Sequence, residues 1–235
     1  MVKLVTSAKI GTSRELTWCF YVLFDFFLLM KINPDVLIVF YTRRGNTAKM
    51  AEAIAEGAKE IGANIKLLRL ADDIPMEIVE KDENWLQIHN DLDKKYPTSD
   101  EFSIIKEMAN ADAIVFGSPT RFGNMAHEMK KMWDLSTELW FTGKLIGKVG
   151  GVFTGASSVH GGQEVTALSM MMPMLHQGMV VVGPSYDTKE LHESGSPYGP
   201  STIVGPNSDQ IKDVDLVVAR TFGSKIAKVA AKLAD

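Results

Sequence analysis

Cysteine is nearly absent from this chain of 235 residues: Cys19 stands alone, so no internal disulfide can form. A lone thiol fits a reducing compartment, and the expected location is the cytoplasm. No Cys/His cluster has zinc-ligand spacing, so no metal site is expected. A basic excess is missing too, since the formal net charge is -4. Residues 72–101 hold ten acidic and three basic side chains, leaving 22 basic against 19 acidic elsewhere, a balance that disfavours a nucleic-acid binder of the usual basic kind. Nor is there an apolar run long enough to cross a bilayer. Trp18–Met30 is apolar except for Asp25 and falls short of the roughly 20 residues that a span needs, so stable membrane insertion is not expected. Lys3, Lys9 and Arg14 before that run resemble the basic part of a signal peptide, but no small-residue cleavage site follows. Residues 1–34 therefore read as an extension outside the native fold, with Met30 directly before a clean first strand.

What is present is a core. The chain is 46% hydrophobic, and from residue 35 the pattern becomes regular. Val36–Phe40 is a short, continuous apolar run of the kind buried on both faces of a sheet. Asn46 or Thr47 can cap a helix in which Met50, Ile54, Ala58 and Ile61 recur, with Gly62 as a stop. Further strands are expected at Ile65–Leu70, Ala113–Gly117, Val149–Thr154 and Met179–Gly183. Helices are expected at Ser103–Asn110, Asn124–Leu139, Gln163–Gln177 (kinked or shortened at Pro173) and Ser208–Ala234. Strands alternating with helices imply parallel pairing and a three-layer α/β sandwich. The acidic stretch at 72–101 reads as an insertion, partly ordered by Trp85 and Ile88.

Ligands of an open parallel sheet bind beyond the carboxyl ends of its strands. The first such turn, Thr42-Arg43-Arg44-Gly45-Asn46-Thr47, is rich in hydroxyls and amides and opens a helix, so it can cradle a phosphate. It has neither the Walker lysine nor G-x-G-x-x-G, and the same residues equally make an ordinary capped helix start. The second, Gly117 to Met125, combines Pro119 with the permissive Gly117 and Gly123 and can lie along a flat heterocycle. The third, Thr154 to Glu164, is a permissive loop of small residues that ends at another helix.

Gly-Ser-Pro-Thr-Arg-Phe-Gly-Asn-Met at 117–125, Gly-Gly-Gln-Glu at 161–164, His-Gln-Gly-Met at 176–179 and Ser-Pro-Tyr-Gly at 196–199 occur in that order. From about Asp35 to the C-terminus the chain resembles the tryptophan-repressor-binding-protein (WrbA) family of flavodoxin-like NAD(P)H:quinone oxidoreductases. The resemblance implies a flavodoxin-like domain over 35–235, with a five-stranded parallel sheet in the order 2-1-3-4-5, non-covalent FMN and a homotetramer. It places the phosphate loop on Thr42, Arg43, Arg44, Gly45, Asn46 and Thr47. The flavin-ring loop falls on Pro119, Thr120, Arg121, Phe122, Gly123, Asn124 and Met125, and a second flavin loop on Gly155, Ala156, Ser157, Ser158 and Gly161. It further implies His176 beside flavin and quinone as the catalytic residue, and Trp140 as a quinone-binding wall. The chain departs from the family at Arg44, where some members have an aromatic residue, and at Val159 and His160 in the second flavin loop.

The resemblance thus implies an enzyme that passes two electrons from NAD(P)H through FMN to a quinone in a ping-pong scheme, with no protein nucleophile. Two other classes fit the same residues. One is a flavodoxin-type electron carrier that docks on redox partners, for which the acidic insertion offers a surface. The other is a non-enzymatic adaptor.

Overall fold

The computed structural model describes residues 33–194, 196–205 and 210–234. Except for Asn33 and Pro34, the expected extension lies outside the described residues. Five of the six residues of β1 (Asp35–Phe40) are buried. Alternate side chains of a strand point to opposite faces, and the two faces here serve two cores: Leu37 and Val39 belong to one hydrophobic cluster, Val36, Ile38 and Phe40 to the other. β2 (Asn64–Leu70) and β4 (Ala113–Pro119) flank β1 in parallel, and β5 (Val149–Ala156) pairs with β4.

One face is covered by α1 (Asn46–Lys59) and α9 (Asp213–Leu233), through Met50, Ile54, Phe222 and Ile226. The other is covered by α4 (Glu101–Asn110), α5 (His127–Leu135), α6 (Thr137–Phe141) and α7 (Gln163–His176), with Trp133 packed 4.5 Å from the Phe116 ring centre. This is the three-layer sandwich that the alternation of strands and helices implies. Among the described residues no helix is long and apolar enough to cross a membrane.

The sheet differs from the five-stranded expectation: among the described residues it holds seven strands in the order β3 (Thr98–Ser99)-β2-β1-β4-β5-β6 (Val180–Val181), with β7 (Ser201–Ile203) also on β5. β3 (Thr98–Ser99) adds an outer strand beside Arg69 and Leu70. The fifth expected strand, Met179–Gly183, is cut back to two residues, and a strand outside that range pairs farther along β5. β6 (Val180–Val181) pairs with the start of β5, and β7 (Ser201–Ile203) pairs with its end. The shortened strand ends before Gly183, where an added Cβ would lie 2.2 Å from the Pro197 carbonyl oxygen. The chain leaves the sheet there, passes through α8 (Leu191–Ser194), and rejoins where Thr154 N–H donates to Pro200 O at 3.0 Å.

Two helix expectations also change. The single helix at Asn124–Leu139 is two, divided at Ser136, whose hydroxyl turns back to the Trp133 carbonyl at 2.7 Å. Neither Asn46 nor Thr47 caps α1: Gly45 occupies the cap with φ 87°, and no side chain caps the helix. In contrast, α7 runs through Pro173 to His176.

The acidic stretch forms α2 (Met76–Val79), α3 (Glu83–Lys95) and β3. It is tied to the sheet by buried Arg69, which pairs with Asp93, and by Tyr96, edge-on to Phe40 at 5.6 Å. Lys95 pairs with Glu52 of α1. The insertion is thereby a fixed wall beside the first turn of α1.

Candidate active site

The loops after β1, β4 and β5 converge on a cleft of roughly 610 Å3, within the range of small-molecule sites. Thr42, Arg43, Arg44, Asn46 and Thr47 line it from the first loop, Pro119, Thr120 and Arg121 from the second, and Gly155, Ala156 and Ser157 from the third. Thr42 and Thr47 are each only 5% exposed. The Thr42 hydroxyl oxygen accepts the Gly45 N–H at 3.1 Å, which leaves its own proton for a ligand. With a left-handed glycine at the cap and no capping side chain, the first-turn N–H groups of α1 remain available to an anion.

Buried charge fixes the floor of this loop. Arg43 donates to the Tyr41 hydroxyl at 3.0 Å and lies 3.4 Å from Asp72 and 3.9 Å from buried Glu128. Burial, and then the charge of Glu128, push the Tyr41 hydroxyl well above the usual phenol range, so it stays protonated. The Tyr41 hydroxyl and Asp72 hold the Arg43 guanidinium above its ordinary value despite its burial. Arg121 lies over the Tyr41 ring at 6.0 Å.

The second loop is shaped by its backbone. Arg121 and Asn124 exchange N–H···O bonds of 2.8 and 3.0 Å, which closes a turn with Phe122 (φ 53°) and Gly123 (φ 76°) at its tip. A bulky side chain in the left-handed region is strained, and here it projects Phe122 fully into solvent. Thr120 ties the loop down: its N–H donates to Gly155 O at 2.9 Å, and its hydroxyl accepts Gly123 N–H at 3.2 Å.

Other assigned residues lie outside the cleft lining. Gly45 forms the turn beneath the loop, and Phe122, Gly123 and Asn124 form the tip. Ser158 O accepts from Gln163 Nε2 (2.9 Å) and from Gly161 N–H (3.1 Å), so Ser158 and Gly161 shape the approach to α7. His176 and Trp140 are not brought to the cleft of their own chain. α7 starts just after its cap Gly162, which lies beside Gly123, and His176 is its fourteenth and last residue. At 1.5 Å per residue that is a displacement of roughly 20 Å towards the opposite end of the sheet. Trp140 is 54% exposed on α6. Sequence reasoning missed Thr202, Val204 and Gly205, which complete the cleft from β7 and the residues after it. Their signal was weak, because β7 is three residues long. Among the described residues no cluster of His, Cys, Asp and Glu is placed to hold a metal ion.

The cleft thus joins an anion cradle to a slot between small-residue loops, the donor set a phosphorylated flavin needs. A family model described as NADPH-dependent FMN reductase matches residues 36–190. A protein of Archaeoglobus fulgidus named NAD(P)H dehydrogenase (quinone) is 41% identical over 198 residues, covering 84% of this chain and 98% of the relative. One of the same name from Geotalea uraniireducens is 42% identical over 206 residues, covering 85% and 98%. A solved flavodoxin, WrbA-like protein from Agrobacterium tumefaciens has a TM-score of 0.60 at 24% identity, covering 86% of this chain and 99% of its own. Fold and site together define an oxidoreductase of the flavodoxin-like α/β class. The chain belongs to the NADPH-dependent FMN reductase family, and it spans nearly the full length of the relatives named NAD(P)H dehydrogenase (quinone).

Proposed function

We propose that this protein is an FMN-dependent NAD(P)H:quinone oxidoreductase that reduces quinones by two electrons in a ping-pong sequence. The observation that carries this reading over an electron carrier is the cleft lining, which among the described residues contains no aromatic side chain to cover a flavin ring. A planar donor, and then a planar acceptor, can therefore reach the same open face. FMN, when bound, supplies the redox chemistry; the chain supplies binding, orientation and electrostatics. Thr42, Asn46 and Thr47 hold the phosphate. Arg121 and the backbone of Thr120 to Asn124 orient the polar edge of the ring. Steady-state turnover with NADH and benzoquinone tests the assignment: rapid quinone reduction is expected, whereas turnover with one-electron acceptors alone identifies a carrier.

His176 and Trp140 can act at a cleft only if another protomer supplies them, as the proposed homotetramer would. Val165, Leu168, Met172 and Leu175 make an exposed apolar stripe along α7, continuous near its end with Ile146 against Gly178. Such a face is costly in water and marks an interface. The stripe runs from the cleft edge, where Val165 is near Gly123, to His176. A two-fold pairing of this face sets each chain's His176 end beside its partner's cleft. There His176 orients the quinone oxygen, and Trp140 forms a wall for its ring. The double variant Leu168→Glu, Met172→Glu is expected to fall apart to smaller species in analytical ultracentrifugation. It should retain FMN and lose quinone reduction by roughly 10-fold or more, the scale of a lost positioning contact. An intact oligomer with wild-type turnover would remove this face from the assembly.

A further inference from the structure

Both arginines of the phosphate loop are already held by carboxylates. Arg44 lies 3.5 Å from Asp82 and 5.2 Å from the Trp85 ring centre. Arg43 is gripped by four elements at once. These are the Tyr41 hydroxyl after β1 at 3.0 Å, Asp72 after β2 at 3.4 Å, Glu128 in the first turn of α5 at 3.9 Å, and the Trp85 ring of α3, centred 5.9 Å from the guanidinium carbon. Glu128 is the costly member of that group. It is 2% exposed, and neither carboxylate oxygen has a hydrogen-bond partner among the described residues, an arrangement native proteins seldom keep without a use. Two cationic groups approach it: exposed His127, with Nδ1 3.3 Å away, and Arg43. An imidazole is charged only when protonated, whereas a guanidinium always is, so Arg43 is the permanent counter-charge of Glu128.

We propose that Arg43 is a positioning residue of the phosphate loop, which neutralises Glu128 and pins the loop to β1, to the turn after β2 and to α5, and that it is not itself a ligand of the phosphate. The inference rests on the proposed seat of the FMN phosphate at Thr42, Asn46 and Thr47. Two negative groups repel strongly where water is excluded. Without Arg43, Glu128 would keep its charge one side chain away from the loop and oppose the phosphate there. Asp72 is less exacting, because it is 11% exposed and one of its oxygens accepts the Ile74 N–H at 3.1 Å. The two roles open to Arg43 therefore differ in one respect. Loss of a counter-charge is repaired by also removing the charge of Glu128, and loss of a phosphate contact is not.

The test titrates the full chain with FMN and with riboflavin, which shares the ring and the ribityl chain but lacks the phosphate. Arg43→Met is expected to weaken FMN about 10-fold more than riboflavin, the effect of a 1.4 kcal/mol loss. Adding Glu128→Gln should bring FMN affinity back to within about 3-fold of the parent, because no carboxylate is left stranded at that position. Should Arg43→Met alone fail to fold, the double variant decides by itself, since Met and Gln resemble the replaced side chains in size. Circular dichroism checks its fold. A folded double variant that still binds FMN roughly 10-fold or more weakly than the parent makes Arg43 a phosphate ligand and overturns the proposal. Parental FMN affinity in Arg43→Met, or equal losses for both flavins, overturns it too. If the parent itself binds FMN and riboflavin equally, the phosphate does not sit in this loop, and the proposed seat falls together with the inference.

Discussion

A double variant, Thr42→Ala with Thr47→Ala, is expected to lose FMN while its sheet stays folded. Both hydroxyls are nearly buried on the cleft wall at the open end of α1. Each would donate to a charged phosphate, and a hydrogen bond to a charged group contributes about 1.5 to 3 kcal/mol. Two lost together correspond to a weakening on the order of 10²- to 10⁴-fold. The apolar contacts that hold α1, through Met50 and Ile54, are untouched. Circular dichroism should therefore match the parent, while FMN titration shows the loss. Unchanged affinity would reduce the loop to an ordinary helix start.

The largest effect on stability is expected at Gly223, in the middle of α9. Helix propensity alone argues that Gly223→Ala should stabilise by about 1 kcal/mol. Packing opposes it. An added Cβ would sit 1.9 Å from the Ile54 carbonyl oxygen of α1, and the reciprocal site, Gly57, would place its Cβ 1.8 Å from Arg220 O. The obstacle is backbone on both sides and cannot swing away. The same contact carries Ser224 Oγ donating to Gly57 O at 2.9 Å and the Arg220–Glu56 pair at 2.6 Å, so separating the helices breaks these too. Overpacking typically costs about 1 to 3 kcal/mol and occasionally more; with both helix backbones in contact we expect the upper end, which exceeds the propensity gain. For a domain of this size each kcal/mol moves the midpoint by roughly 2 to 4 °C. Gly223→Val, which adds bulk and a β-branch, should fall further than Gly223→Ala. A rise in thermal midpoint for either variant would show that α1 and α9 are not in backbone contact.

The sequence by itself determined which segments are central strands and what lies just after them. Val36–Phe40, Ala113–Gly117 and Val149–Thr154 are continuous apolar runs because both faces of those strands are covered, and burial on two sides leaves that mark in composition. Thr42, Thr47, Pro119 to Arg121 and Gly155 to Ser157 were legible as one constellation because each follows a parallel strand, and parallel strands end on one side of a sheet. Only the tertiary structure decided the rest. Thr202, Val204 and Gly205 reach the cleft because β7 finds the free end of β5, a pairing that three residues do not announce. Gly45 rather than Asn46 caps α1, since the turn that aims the helix at the cleft requires a left-handed residue at that point. His176 and Trp140 were legible as residue types but not as positions: a fourteen-residue helix carries the chain from the cleft edge to His176 at the opposite end of the sheet. Gly57 and Gly223 are separated by most of the chain, and nothing local marks them as partners. Periodicity and turn chemistry are properties of a segment, whereas which segments meet, and how closely, is set by pairing and packing between residues far apart in sequence.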